Sequence, residues 1–73
     1  MKTNDELLQS LIDEHVELQS KLTRLRAFLN DPENMLIIGT EHWGFLSVQQ
    51  KAMETYAEAL FWRIKLVERE IKK

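Results

Sequence analysis

The sequence predicts an all-α fold: two long antiparallel helices forming a helical hairpin, joined by an irregular loop and assembling into a homo-oligomeric helical bundle. Three observations carry that expectation. Two stretches place apolar residues in steps of three and four, as helices packed on helices require. The only proline, Pro32, and both glycines, Gly39 and Gly44, fall between those stretches. The second stretch carries two apolar stripes, and one short partner helix can cover only one of them. If both stripes are buried, the surplus one has to meet another chain.

The first helix is expected over about residues 4–29. Thr3 with Glu6 three residues later fits a capping box, and Asp5 and Glu6 suit the positive end of the helix dipole. The seam that follows is a heptad row of Leu8, Leu11, His15, Leu18, Leu22, Leu25 and Leu29, in which only His15 is not leucine. Such a helix is on the order of 39 Å long. Ile12, Val16 and Phe28 widen its apolar face. Asn30, Asp31 and Pro32 read as the stop: asparagine tolerates the left-handed cap, and proline pushes the residue before it out of the helical region.

A loop is expected over about residues 30–46, long for a helix connection. Its apolar middle, Met35, Leu36, Ile37 and Ile38, suits a short extended piece, a distorted turn or an extension of either helix. Gly39 and Gly44 bracket Thr40, Glu41, His42 and Trp43, which makes either a ligand loop or an ordinary ordered one. Ser47 with Gln50 forms a second capping box, so the second helix is expected over about 47–72. Its seam is Leu46, Met53, Ala57, Leu60, Ile64, Val67 and Ile71, and its second stripe is Ala52, Thr55, Ala59, Trp62 and Leu66. Lys65, Arg69, Lys72 and Lys73 complement the negative end of the dipole.

A chain of 73 residues makes one domain, and a core of that size supplies only about 3–5 kcal/mol without a staple or a partner. With no cysteine there is no disulfide and no thiolate chemistry, which leaves oligomerisation. A net charge of −2 gives no general attraction to nucleic acid, so a DNA-associated regulator is disfavoured. No apolar run approaches the roughly 20 residues of a membrane span, and the amino terminus has no signal-peptide core. The expected location is cytoplasmic.

Neither His15 nor His42 stands at metal-ligand spacing with another histidine, so no metal site is expected, and no cofactor. His15 reads as a seam residue setting register or oligomer state, with a pH-sensitive interface as the functional alternative. There is no phosphate-binding glycine loop, nucleophile elbow or His-Glu-x-x-His helix, so an enzyme is not expected. The acidic residues read as solvated helix faces. The aromatic and basic residues are more informative. Tyr56 and Arg63 lie seven apart on one edge of the second helix, while Arg24, Arg26 and Trp43 are expected near the loop end of the hairpin. Rings stack on nucleobases and arginine grips phosphate bidentately, so this set suits a small nucleotide. The same residues suit a structural role, with Trp43 and Trp62 as anchors, Tyr56 packed on the first helix and the arginines paired with acids. The residues alone favour that role.

On the first helix Leu11, Ile12, Asp13 and Glu14, then Glu17 and Leu18, Lys21 and Leu22, Leu25, and Ala27, Phe28 and Leu29 form one run. On the second, Phe45 and Leu46 precede Gln49, Met53, Tyr56, Leu60, Arg63 and Ile64. Their order resembles the helical-hairpin domain of small phage proteins, some of which are anti-defence sponges. The resemblance covers most of both helices and departs at the connection, where MLIIGTEHWGF replaces an acidic, helix-starting linker. It implies a non-enzymatic homo-oligomer in the host bacterial cytoplasm. Such a protein sequesters the cyclic nucleotide signals of CBASS and Thoeris immunity, whether cyclic dinucleotides, cyclic trinucleotides or cyclic ADP-ribose isomers, in pockets between subunits. The candidate ligand residues rest on chemistry and position: Trp43, His42, Tyr56, Arg63, Arg24 and Arg26. Ala52, Ala59, Trp62, Leu66 and His15 are the candidate oligomer interface. The alternative is a structural module that grips a host or phage protein through its apolar stripe.

Overall fold

A computed structural model describes residues 3–72. Helix α1 spans Asn4–Leu29, and its N-cap Thr3 accepts a hydrogen bond from the Glu6 backbone N–H at 3.1 Å. Its end differs from expectation in detail. Asn30 stays right-handed, with its N–H donating to the Arg26 carbonyl at 2.9 Å, so no left-handed cap is needed. The chain turns because Asp31 and Pro32 start another helix.

That helix, α2, spans Pro32–Ile38 and lies where a loop was expected. The Asp31 carboxylate caps it by accepting from the Glu33 N–H at 3.0 Å, and proline at a first helical position loses no hydrogen bond. The Asn34 side chain donates to the Phe28 carbonyl at 2.9 Å and ties α2 to the end of α1. Gly39 ends it at φ 89° and ψ 156°, a conformation essentially confined to glycine.

Helix α3 spans Thr40–Ile71, so it begins seven residues before Ser47, the expected start. The Ser47 and Gln50 pattern is therefore no cap. The Ser47 hydroxyl donates to the Trp43 carbonyl one turn back, at 3.1 Å, which satisfies it inside a helix. Gly44 is tolerated there at about 1 kcal/mol relative to alanine. Trp43 offsets that by packing on Phe28 of α1, with ring centroids 6.4 Å apart.

Helices α1 and α3 run antiparallel, since Phe28 late in α1 meets Trp43 early in α3 while Leu11 shares a core cluster with Val67. Leu11 and Leu18 from α1 bury against Ala57, Leu60 and Val67 from α3, and Leu22 is buried as well, Leu22 and Leu60 being the most completely covered side chains. Leu7, Leu8, Met53 and Ile64 pack around that row. The inner seam of α3 is thus the expected one from Met53 to Val67, while Ile71 at its end is exposed. His15 leaves the α1 seam and sits half-buried at its edge. The molecule is a rod of 53 × 20 × 15 Å, and among the described residues no helix is long and apolar enough to cross a membrane.

Candidate ligand groove

Side chains that flank the seam open a groove on each side of the hairpin. The larger, of about 320 Å³, is lined from α1 by His15, Gln19, Leu22 and Arg26, which follow at steps of four, three and four and so share one helix edge. From α3 it takes Glu54, Ala57, Glu58 and Phe61. The smaller, of about 200 Å³, lies across the seam between Glu14, Glu17, Leu18 and Lys21 of α1 and Tyr56 of α3. Small-molecule sites occupy roughly 300–1,000 Å³, so only the first is of adequate size.

The larger groove combines an apolar floor, Leu22 and Ala57, with an aromatic edge and mixed charge. Arg26 stands 3.5 Å from Glu54, and the Gln50 amide donates to the same carboxylate at 2.7 Å. Gln50 first, and then the charges of Arg26 and Lys51, hold the Glu54 carboxyl below its ordinary value against partial desolvation. The His15 Nε2 and Gln19 Nε2 atoms approach to 3.5 Å. Phe61 carries the Lys65 ammonium 5.4 Å above its ring and meets Trp62 edge-on at 5.1 Å.

The smaller groove is acidic. Its Tyr56 hydroxyl donates to Glu14, and Lys21 pairs with Glu17 at 3.6 Å. That bond to Glu14, with desolvation and the Glu14 charge, raises the Tyr56 pKa, while Arg63 pulls it down. The tyrosine hydroxyl is thus already engaged by a carboxylate.

The candidate ligand residues therefore separate. Arg26 joins the larger groove and Tyr56 the smaller. His42, Arg24 and Arg63 are exposed and line neither, and Trp43 is a half-buried helical residue against Phe28 rather than part of a loop. His15, expected at an interface, lines the larger groove with Gln19 and Phe61, which sequence reading passed over. Their signal was present in the edge spacing of His15, Gln19 and Arg26, but Phe61 joins them only through the register of the hairpin. Ala52, Ala59, Trp62 and Leu66 all stand exposed on the outer side of α3.

Residues 5–66 match the model of a protein family described as Sequestin. The chain belongs to the Sequestin family. The matched stretch contains every residue of both grooves and the whole outer stripe of α3. No curated protein and no solved structure matches the chain. The name Sequestin speaks of sequestration, the holding of a ligand, and agrees in that respect with the resemblance read from the two helices.

Proposed function

We propose that this Sequestin-family protein is a phage anti-defence protein that sequesters cyclic nucleotide immune signals as a homo-oligomeric sponge, without catalysis. The observation that carries the reading is the family match across residues 5–66. The larger groove supports it by offering a ring, a guanidinium and an amide around an apolar floor.

Capture follows from the strengths of the contacts. The pair between Arg26 and Glu54 is about half exposed on both sides, and such pairs are worth at most about 1 kcal/mol. A phosphodiester entering beside Arg26 makes a charge-assisted bond of about 1.5–3 kcal/mol and displaces Glu54. Phe61 then offers a stacking face to a base, and Gln19 and His15 offer hydrogen bonds to its edge.

The test is to measure assembly mass and then to titrate the protein by calorimetry with cyclic dinucleotides, cyclic trinucleotides and cyclic ADP-ribose isomers. The expected result is saturable heat with one class, the ligand being recovered intact. Arg26→Ala and Phe61→Ala should each weaken binding about tenfold or more at unchanged helix content. The absence of heat with every ligand would overturn the reading and favour the protein-binding module, for which the exposed apolar side of α3 is the supporting observation.

A further inference from the structure

The outer side of α3 keeps a regular heptad over three repeats. Phe45, Val48, Ala52, Thr55, Ala59, Trp62 and Leu66 follow in steps of three and four without a break, and every one is exposed. Phe45 and Val48 are each 66% exposed and Trp62 61%. The row extends beyond the second stripe read from the sequence, because α3 begins at Thr40 and carries Phe45 onto the same face as Val48. It spans on the order of 32 Å of helix. Hydrophobic residues scattered on a surface need no explanation, but a sustained heptad row does.

The flanking residues identify the occupant. With Phe45, Ala52, Ala59 and Leu66 at the a positions, Val48, Thr55 and Trp62 take d. Lys51, Glu58 and Lys65 then take g, and Gln49, Tyr56, Arg63 and Glu70 take e. In a parallel two-stranded coiled coil each g residue faces the e residue five positions later on the other helix. Two identical copies of α3 thus set Glu58 against Arg63 and Lys65 against Glu70, twice each by symmetry, with no like-charged pair among them.

Antiparallel pairing is poorer. The register that seats Trp62 over the small Ala52 brings Glu58 against Glu58 and Lys51 against Lys65. The register one heptad toward the start of α3 pairs Lys51 with Glu58 but sets Leu66 against Glu41, and the register one heptad the other way pairs Glu58 with Lys65 but sets Ala52 against Arg69 and leaves Phe45 without a partner. The seam also has defined ends, with charged Glu41 and Arg69 at the d positions beyond it.

We infer that the outer face of α3 is the seam of a parallel, in-register coiled coil with α3 of a second copy of this chain. Small Ala52 and Ala59 let the two helices approach, and the paired Trp62 rings fill the layer next to Ala59. The interface rests on the oligomer of the reading above and not on its ligand.

Cysteine cross-linking tests it, because the chain has no cysteine of its own. Single substitutions Ala59→Cys and Ala52→Cys fall at a positions, where parallel in-register helices bring identical residues within disulfide reach. Both variants should form a reducible cross-linked dimer on mild oxidation, and both sites are exposed, so folding is undisturbed. Glu58→Arg should weaken assembly about tenfold, and adding Arg63→Glu should restore it. A wild-type chain that stays single by light scattering at 0.1 mM overturns the pairing, where ~0.1 mM is ample for even a weak coiled coil. So does an assembly in which neither cysteine cross-links, or one in which Arg63→Glu fails to rescue Glu58→Arg. Cross-linking at both positions together with no nucleotide heat establishes the pairing and removes sequestration, so the two readings fail separately.

Discussion

The two sides of α3 have the same spacing and opposite fates. On the inner side Ala57, Leu60 and Val67 bury against α1, and on the outer side Phe45, Val48, Trp62 and Leu66 face away from the hairpin. The inner row is mostly branched aliphatic, the kind of side chain that interdigitates with the leucines of α1 at native density. The outer row sets Phe45 and Trp62 on either side of a run of smaller residues, Val48, Ala52, Thr55 and Ala59. Heptad spacing therefore marks both faces alike, and within the hairpin only the inner one finds a helical partner. Helix α1 has one seam to offer and spends it on the inner side.

The largest effect expected separates the two faces directly. Leu60→Ala removes a side chain with no exposure and should lower unfolding free energy by about 2–5 kcal/mol in urea titrations. Leu66→Ala, compared at a concentration where the chain is single, should change it by less than about 0.5 kcal/mol. Equal effects at that concentration would show that the outer row is packed within one chain, and the contrast would be lost.

The next effect concerns the joint that aims both faces. Gly39 precedes α3 at φ 89°, and a Cβ there meets open space, so the strain of Gly39→Ala is in the backbone alone. A loss of about 1–3 kcal/mol by thermal or urea unfolding is expected. A neutral substitution would mean that the joint relaxes freely and that the seam alone sets the direction of α3.

The smallest effects come from the flanks between the two faces and depend on pH. The Tyr56 pKa is raised by its bond to Glu14, so this contribution is present below the ordinary tyrosine value near ~10 and is lost as pH rises through the raised one. The Glu54 pKa is lowered by Gln50 and Arg26, so that contribution is present above the ordinary glutamate value and fades as pH falls through the lowered one. Tyr56→Phe should flatten the alkaline limb of a stability profile and leave the acid limb unchanged. An unaltered alkaline limb would sink the assignment.

How much was legible follows from the range of the forces. The bounds of α1 could be read because Thr3, Glu6, Asn30 and Pro32 act within a turn of where they stand. The inner seam of α3 could be read from its periodicity alone. The start of α3 could not, because Ser47 and Gln50 imitate a cap, and tertiary packing such as the contact of Trp43 with Phe28 offsets the propensity loss of a helix through Gly44. Helix α2 was obscured for a related reason, since Asp31 and Pro32 serve as well to start a helix as to stop one. The candidate ligand set joined Arg24, Arg26 and Trp43 at the loop end with Tyr56 and Arg63 on one edge of the second helix, and the hairpin distributes them over different sides.

The sequence by itself determined that the chain is helical, where its first helix begins and ends, and that its last helix bears two apolar faces. Those properties come from caps and from spacings of three and four, which act along a single helix. The tertiary structure alone decided that α3 starts at Thr40, that Phe45 extends its outer row, and that Phe61 closes a groove with His15, Gln19 and Arg26. Each depends on the register in which Leu11 and Leu18 pack among Ala57, Leu60 and Val67, and register is a property of two helices that neither encodes alone.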